Sequence, residues 1–118
     1  MLAQTVNDAL CDQVQRELHA AYVYLAMSVH LEKSALPGCA AWLRAQAREE
    51  LTHATKLIDY IQDRDGTVAL QAIEAPAIDY GSARDTFVAA LEHERRVTKH
   101  IHDLYALATA EQDFATQS

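Results

Sequence analysis

Glu50 and His53 stand three residues apart within Arg44-Ala-Gln-Ala-Arg-Glu-Glu-Leu-Thr-His-Ala-Thr-Lys-Leu57. On a helix that spacing sends both side chains to one side, one turn from each other. That side is also the apolar one: stepping by four and three gives Cys39, Leu43, Gln46, Glu50, His53, Leu57 and Tyr60. An ionised carboxylate aimed at a core is costly unless it is paired or bound to a cation. Carboxylate oxygens with one imidazole suit iron, manganese or zinc, so the pair is a candidate ligand unit. By itself the spacing says little, since a Glu-x-x-His pair is common on solvated helix faces.

Two other stretches repeat the oddity at matching height. Asn7, Leu10, Val14, Glu17, Ala21, Tyr24, Ser28 and Leu31 form one seam; Phe87, Leu91, Glu94, Thr98, Ile101, Tyr105 and Ala108 form another. Each carries a carboxylate near its midpoint where an apolar residue belongs. Brought together, Glu17, Glu50 and Glu94 would repel, and some would keep protons unless a divalent cation lay among them. Iron is favoured because bridging carboxylates can hold two ions, and paired iron can pass electrons to oxygen. The alternative is a metal-free buried network hydrogen-bonded to Tyr24, Gln46 or Thr98.

The remaining candidates are read in the same two ways. Tyr24, two turns from Glu17, is either core packing with its hydroxyl satisfied or a redox neighbour. Glu49 could reach a neighbouring cation site or be a solvated charge. His93, His100 and His102 fall off the third seam, and His19 and His30 off the first, so all are expected at the surface. Neither Met1 nor Met27 is placed as a haem ligand.

Three long helices must position these residues, so the expected fold is all-α. The first spans about residues 5–33, with Asn7 or Asp8 able to cap its start. Ser34-Ala-Leu-Pro-Gly38 breaks it, because Pro37 is tolerated only in the first turn of the next helix. The second spans about 38–64 and stops at Asp65-Gly66, with Gly66 as the left-handed residue. Residues 65–82 show no clean period and are apolar enough to lie against the protein. Extended at ~3.3 Å per residue, this segment could run ~50 Å, enough to return along a helix ~40 Å long. It is therefore expected to be a crossover that makes the third helix parallel to the second. Ser82, with Asp85 three residues on, caps that third helix, which spans about 83–111.

At 118 residues the chain is expected to form one domain, 1–118, with one core. Half the residues are hydrophobic, with three glycines and two prolines, which suits long helices. A net charge of -7 argues against a nucleic-acid surface and suits a soluble protein that attracts cations. No apolar run approaches a membrane span, and the N-terminus lacks a signal-peptide profile. Cys11 and Cys39 show no metal or redox spacing, so reduced thiols in the cytoplasm are the expectation.

Four stretches carry a family resemblance. They are Glu17-Leu-His-Ala-Ala-Tyr-Val-Tyr-Leu25, Gly38 to Ala54 with its Arg-Glu-Glu-Leu-Thr-His core, Ala72-Ile-Glu-Ala-Pro76, and Leu91-Glu-His-Glu-Arg-Arg-Val-Thr98. In these the chain resembles a non-haem bacterial ferritin over essentially its whole length. The resemblance implies a ferritin-like bundle that oxidises Fe(II) to Fe(III) for storage or detoxification, with dioxygen or peroxide as oxidant. Glu17 and His53 would hold one iron, Glu50 would bridge, and Glu94 would help hold the second. Tyr24 would be the family's site tyrosine, and Glu49 would match a ligand of an accessory third iron. Leu51 stands where haem-binding relatives carry methionine, so haem is not expected.

The family continues into a fourth long helix where this sequence reaches Ser118. Three amphipathic helices alone leave an apolar trough, and such a patch predicts association. A homo-oligomer built from dimers is the expected partner arrangement, with no nucleic acid and no membrane. The contrasting expectation is a non-catalytic helical assembly module with a vestigial metal site. A di-iron peroxidase of the rubrerythrin type lacks support, because no cysteine-ligated module accompanies the helices.

Overall fold

The computed structural model describes residues 2–33 and 36–117. Helix α1 spans Gln4–Lys33, α2 Pro37–Asp63, α3 Ala83–Ala110, and a single turn, α4, Phe114–Gln117. No glycine or proline interrupts α1. Pro37 opens α2, where its missing N–H costs nothing because the first-turn donors have no helical acceptor. At α3 the Ser82 hydroxyl accepts from the Asp85 N–H and the Asp85 carboxylate accepts from the Ser82 N–H, each at 3.1 Å. That reciprocal cap stabilises a helix by roughly 1 kcal/mol.

Contacts at the helix ends set the topology. The Ser28 hydroxyl donates to the Ala40 carbonyl at 2.8 Å, while Asn7 and Thr67 exchange bonds of 3.0 and 3.1 Å at the opposite end. Helices α1 and α2 are therefore antiparallel. His30 lies 2.6 Å from the Gly81 carbonyl, just before α3, and Thr5 reaches Glu111 just after it. So α3 is antiparallel to α1 and parallel to α2. Helix α1 packs along both of the others, whereas the backbones of α2 and α3 stay apart. Trp42 and Phe87 reach across between them with ring centroids 5.9 Å apart.

The core has two parts. One gathers Tyr24, Met27, Leu31, Leu43 and four alanines, and the other Val6, Leu10, Val14 and Ile61 with Leu2 and Cys11. Glu17 lies on α1 between them. Burying each large apolar side chain is worth roughly 1.5–3 kcal/mol, so these residues set the register of α1 on α2.

Several local expectations are corrected. Neither Asn7 nor Asp8 is a cap, because α1 begins before them. The buried Asn7 amide instead ties down the chain leaving α2. Asp65, with φ of 58°, takes the left-handed position rather than Gly66. Gly66 is required for space, since an added Cβ would lie 2.8 Å from Ile61 Cγ2 and collide with the Asn7 side chain. The crossover, residues 64–82, docks only in part. Val68 and Tyr80 touch the two core clusters, whereas Leu70 and Ile78 point outward at 68% and 87% exposure.

The largest difference lies on α3. Its seam of Phe87, Leu91, Ile101 and Tyr105 is exposed, and the residues it buries are Thr86, Ala90, His93 and Ala108. The apolar stripe is wider than one interface needs, and helical period alone does not say which edge meets α1. The surface expectation for His93 fails for the same reason: it stands on the stripe that packs.

Candidate metal centre

Packing of α1 on α2 places Glu17 and Glu50 face to face between the two core clusters. They are 4% and 5% exposed. His53, one turn along α2 from Glu50, sits at the edge of this pair, half-open to solvent. Its Nδ1 lies 3.4 Å from Glu50 Oε2 and 3.7 Å from Glu17 Oε2. Both of those carboxylate oxygens are buried without a hydrogen-bond partner. One ligand atom from each of the three residues falls within 4.8 Å of the others, the only such group among the described residues.

The second Glu17 oxygen is held. Gln13 Nε2 donates to Glu17 Oε1 at 3.0 Å from one turn earlier on α1, and Gln13 is itself buried. This orients the carboxylate so that Oε2 points toward Glu50 and His53. Gln13 lies off the apolar seam, so periodicity passes over it; its one sequence signal is the four-residue spacing to Glu17.

Burial above all, then the neighbouring Glu17, and after it Glu94 and Glu49, push the Glu50 carboxyl up to about 9. In the metal-free protein Glu50 therefore keeps its proton near neutral pH, as a buried carboxyl beside other carboxylates does. A divalent cation would take the place of that proton. Two orphaned carboxylate oxygens and an imidazole nitrogen make a hard, anionic donor set that fits iron or manganese.

Glu94 and Glu49 stand outside this group. The Tyr24 hydroxyl donates a hydrogen bond to Glu94 Oε1, which ties α3 to the core of α1. Tyr24 is fully buried, and burial followed by the Glu94 bond pushes its phenol well above the ordinary range. The Glu94 side chain is otherwise exposed, and so is Glu49. Tyr24 also meets the edge of His93, ring centroids 5.5 Å apart, and burial, with Arg96 and His19 nearby, pushes the His93 imidazole down. Arg44, Arg48 and Leu51 belong to a different surface. With Leu18, Leu25 and Ile73 they line an apolar groove of about 420 Å³ on the outer side of the α1–α2 pair.

Residues 7–118 match the family described as the ferritin-like domain. The chain belongs to this ferritin family. Over all 118 residues it is 36% identical to the bacterial non-heme ferritin of Staphylococcus aureus strain USA300, covering 71% of that protein. The corresponding ferritin of Staphylococcus epidermidis is 37% identical, again over 71% of its length. Among solved structures, the open pore ferritin from the hyperthermophilic archaeon Archaeoglobus fulgidus superposes with a TM-score of 0.97 at 39% identity. That superposition covers 98% of this chain and 72% of the archaeal one. The helical bundle, the iron-handling class of the family and the carboxylate–histidine group at the α1–α2 contact therefore agree.

Proposed function

We propose that this ferritin binds Fe(II) between Glu17, Glu50 and His53, with Glu94 completing a site for two ions, and oxidises it to Fe(III). The observation that carries the proposal is the pair of buried, unpartnered oxygens on Glu17 and Glu50 facing one imidazole. Such oxygens are costly to bury without a proton or a cation. Glu50, buried with Glu17 and one turn from His53, would bridge the two ions, and Gln13 holds Glu17 in place for the first. Each iron gives up one electron, so two neighbouring irons supply a pair to dioxygen or peroxide. Tyr24, bonded to Glu94, fixes that carboxylate's distance from the cluster, and Glu49 lies on the outward side where a further ion could bind. Catalysis is then positioning by ligands and the tuning of iron by anionic oxygens.

The exposed seam of Phe87, Leu91, Ile101 and Tyr105 supports association through an apolar surface, in a homo-oligomer built from dimers. No haem ligand is assigned, and Leu51 faces the outer groove. Iron storage or detoxification in the cytoplasm is the role that fits. Native mass spectrometry before and after anaerobic Fe(II) addition tests the reading. An even-numbered oligomer that gains stoichiometric iron is expected; a protein that takes up no iron at near-neutral pH would sink it and leave a helical assembly module with a vestigial site.

A further inference from the structure

The chain carries a net charge of -7, yet one cleft is lined by the opposite sign. Arg16 and His19 from α1 and His93, Arg96 and His100 from α3 meet around a space of about 140 Å³, with Gln15 at its edge. Among the described residues no carboxylate lines this cleft. Neither arginine is in an ion pair among the described residues; Arg16 donates only to Gln13 Oε1, at 3.4 Å. His93 forms the inner wall, with its ring centroid 6.2 Å from that of His19. It is 8% exposed, and its Nε2 has no hydrogen-bond partner.

Cations crowded into a half-buried groove disfavour one another. At His100 burial, followed by Arg16 and Lys99, pushes the imidazole down, opposed by Asp103. Three carboxylates whose charge reaches the cleft's histidines each have an oxygen engaged. Asp103 pairs with Lys99 at 3.0 Å, Glu17 accepts from Gln13, and Glu94 accepts from Tyr24. A metal ion gains nothing beside two guanidinium groups. An oxyanion gains a great deal, because guanidinium forks match its geometry with two parallel N–H bonds and neutral imidazoles can donate as well.

We propose that the α1–α3 cleft binds one small tetrahedral oxyanion, with Arg16 and Arg96 as its charged clamp and His19, His93 and His100 as further donors. Inorganic phosphate is the chemical type. His93 directly precedes Glu94 in the chain, and its ring meets Tyr24, whose hydroxyl donates to Glu94. Anion binding is a property of the α1–α3 cleft itself. It does not depend on the iron assignment, because the donors differ and the site can be filled without metal.

The test uses the full chain free of metal. Sodium phosphate is titrated against sodium chloride at equal ionic strength while the histidine ring resonances are followed by NMR. Saturable shifts at His19, His93 and His100, with His102 unmoved and chloride without effect, are the expected result. The Arg16→Gln/Arg96→Gln double variant should weaken phosphate binding by about tenfold or more while Fe(II) binding persists. Should that variant misfold, Arg96→Gln alone, at an exposed position, keeps the comparison. Equal shifts with chloride, or undiminished phosphate binding in a folded variant, would overturn the proposal.

Discussion

The two sides of the carboxylate cluster differ in how they are supported. On the α1–α2 side, Glu17 and Glu50 are enclosed by the core residues that lock those helices together, and Gln13 sets the angle of Glu17. On the α3 side, Glu94 hangs from the Tyr24 hydroxyl with little else around it, and the seam above and below it is open. One half of the site is thus preorganised by burial, and the other waits on whatever covers α3. Burial makes the first half costly without a cation and stiff enough to bind one; exposure leaves the second half cheap and adjustable.

Removing one carboxylate from each side tests this contrast most severely. Glu50→Ala should slow Fe(II) oxidation, followed by stopped-flow absorbance, by more than the roughly 10–100-fold that loss of an outer-shell partner costs. Glu94→Ala should cost about tenfold, at the lower end of that range. Equal losses would mean that α3 is as fixed in the working assembly as α1 and α2.

Packing offers the next comparison. Leu43 is fully buried, whereas Leu91 on the open seam is 53% exposed. Leu43→Ala should destabilise the chain by about 2–5 kcal/mol in urea or thermal unfolding. Leu91→Ala should stay within about 0.5 kcal/mol of wild type for the isolated chain. If Leu91→Ala is instead severely destabilising and its effect depends on protein concentration, the seam is an interface in solution.

A further comparison concerns protons. The folded Glu50 carboxyl is raised from 4.5 to about 9, so folding binds a proton there across that window. A raised acid opposes folding increasingly as pH climbs from the unfolded value through the folded one. Metal-free protein should therefore lose stability from about pH 5 toward pH 9. In Glu50→Gln that loss should be reduced, and thermal unfolding across the range checks it. Identical pH profiles for the two proteins would place the proton elsewhere.

Much of this arrangement was legible in the residues. The inward seam of α1, read through Val14, Glu17 and Tyr24, is the face that α1 buries, because α1 is central and both of its neighbours press on one broad stripe. Glu50 was legible for the same reason: an acid at a core position stands out against Leu43 and Leu57. Gln13 and His93 were not, because each lies one step off the dominant period, where only the actual neighbour decides whether a side chain is covered. Gly66 carried the right residue type for the wrong reason. The constraint there is the side chain of Asn7, sixty residues before its bonding partner Thr67.

Propensity, local hydrogen bonding and a period of 3.6 residues were therefore enough to specify the helices, the cap of α3 and the inward placement of Glu17 and Glu50. The packed structure alone settled which edge of α3 meets α1, and with it the burial of His93 and the exposure of Phe87, Leu91, Ile101 and Tyr105. An amphipathic helix specifies that it has an apolar side. Rotation about its axis is set by the shapes and polar groups of the surface it lands on, here Tyr24 reaching for Glu94 and His93 closing over His19.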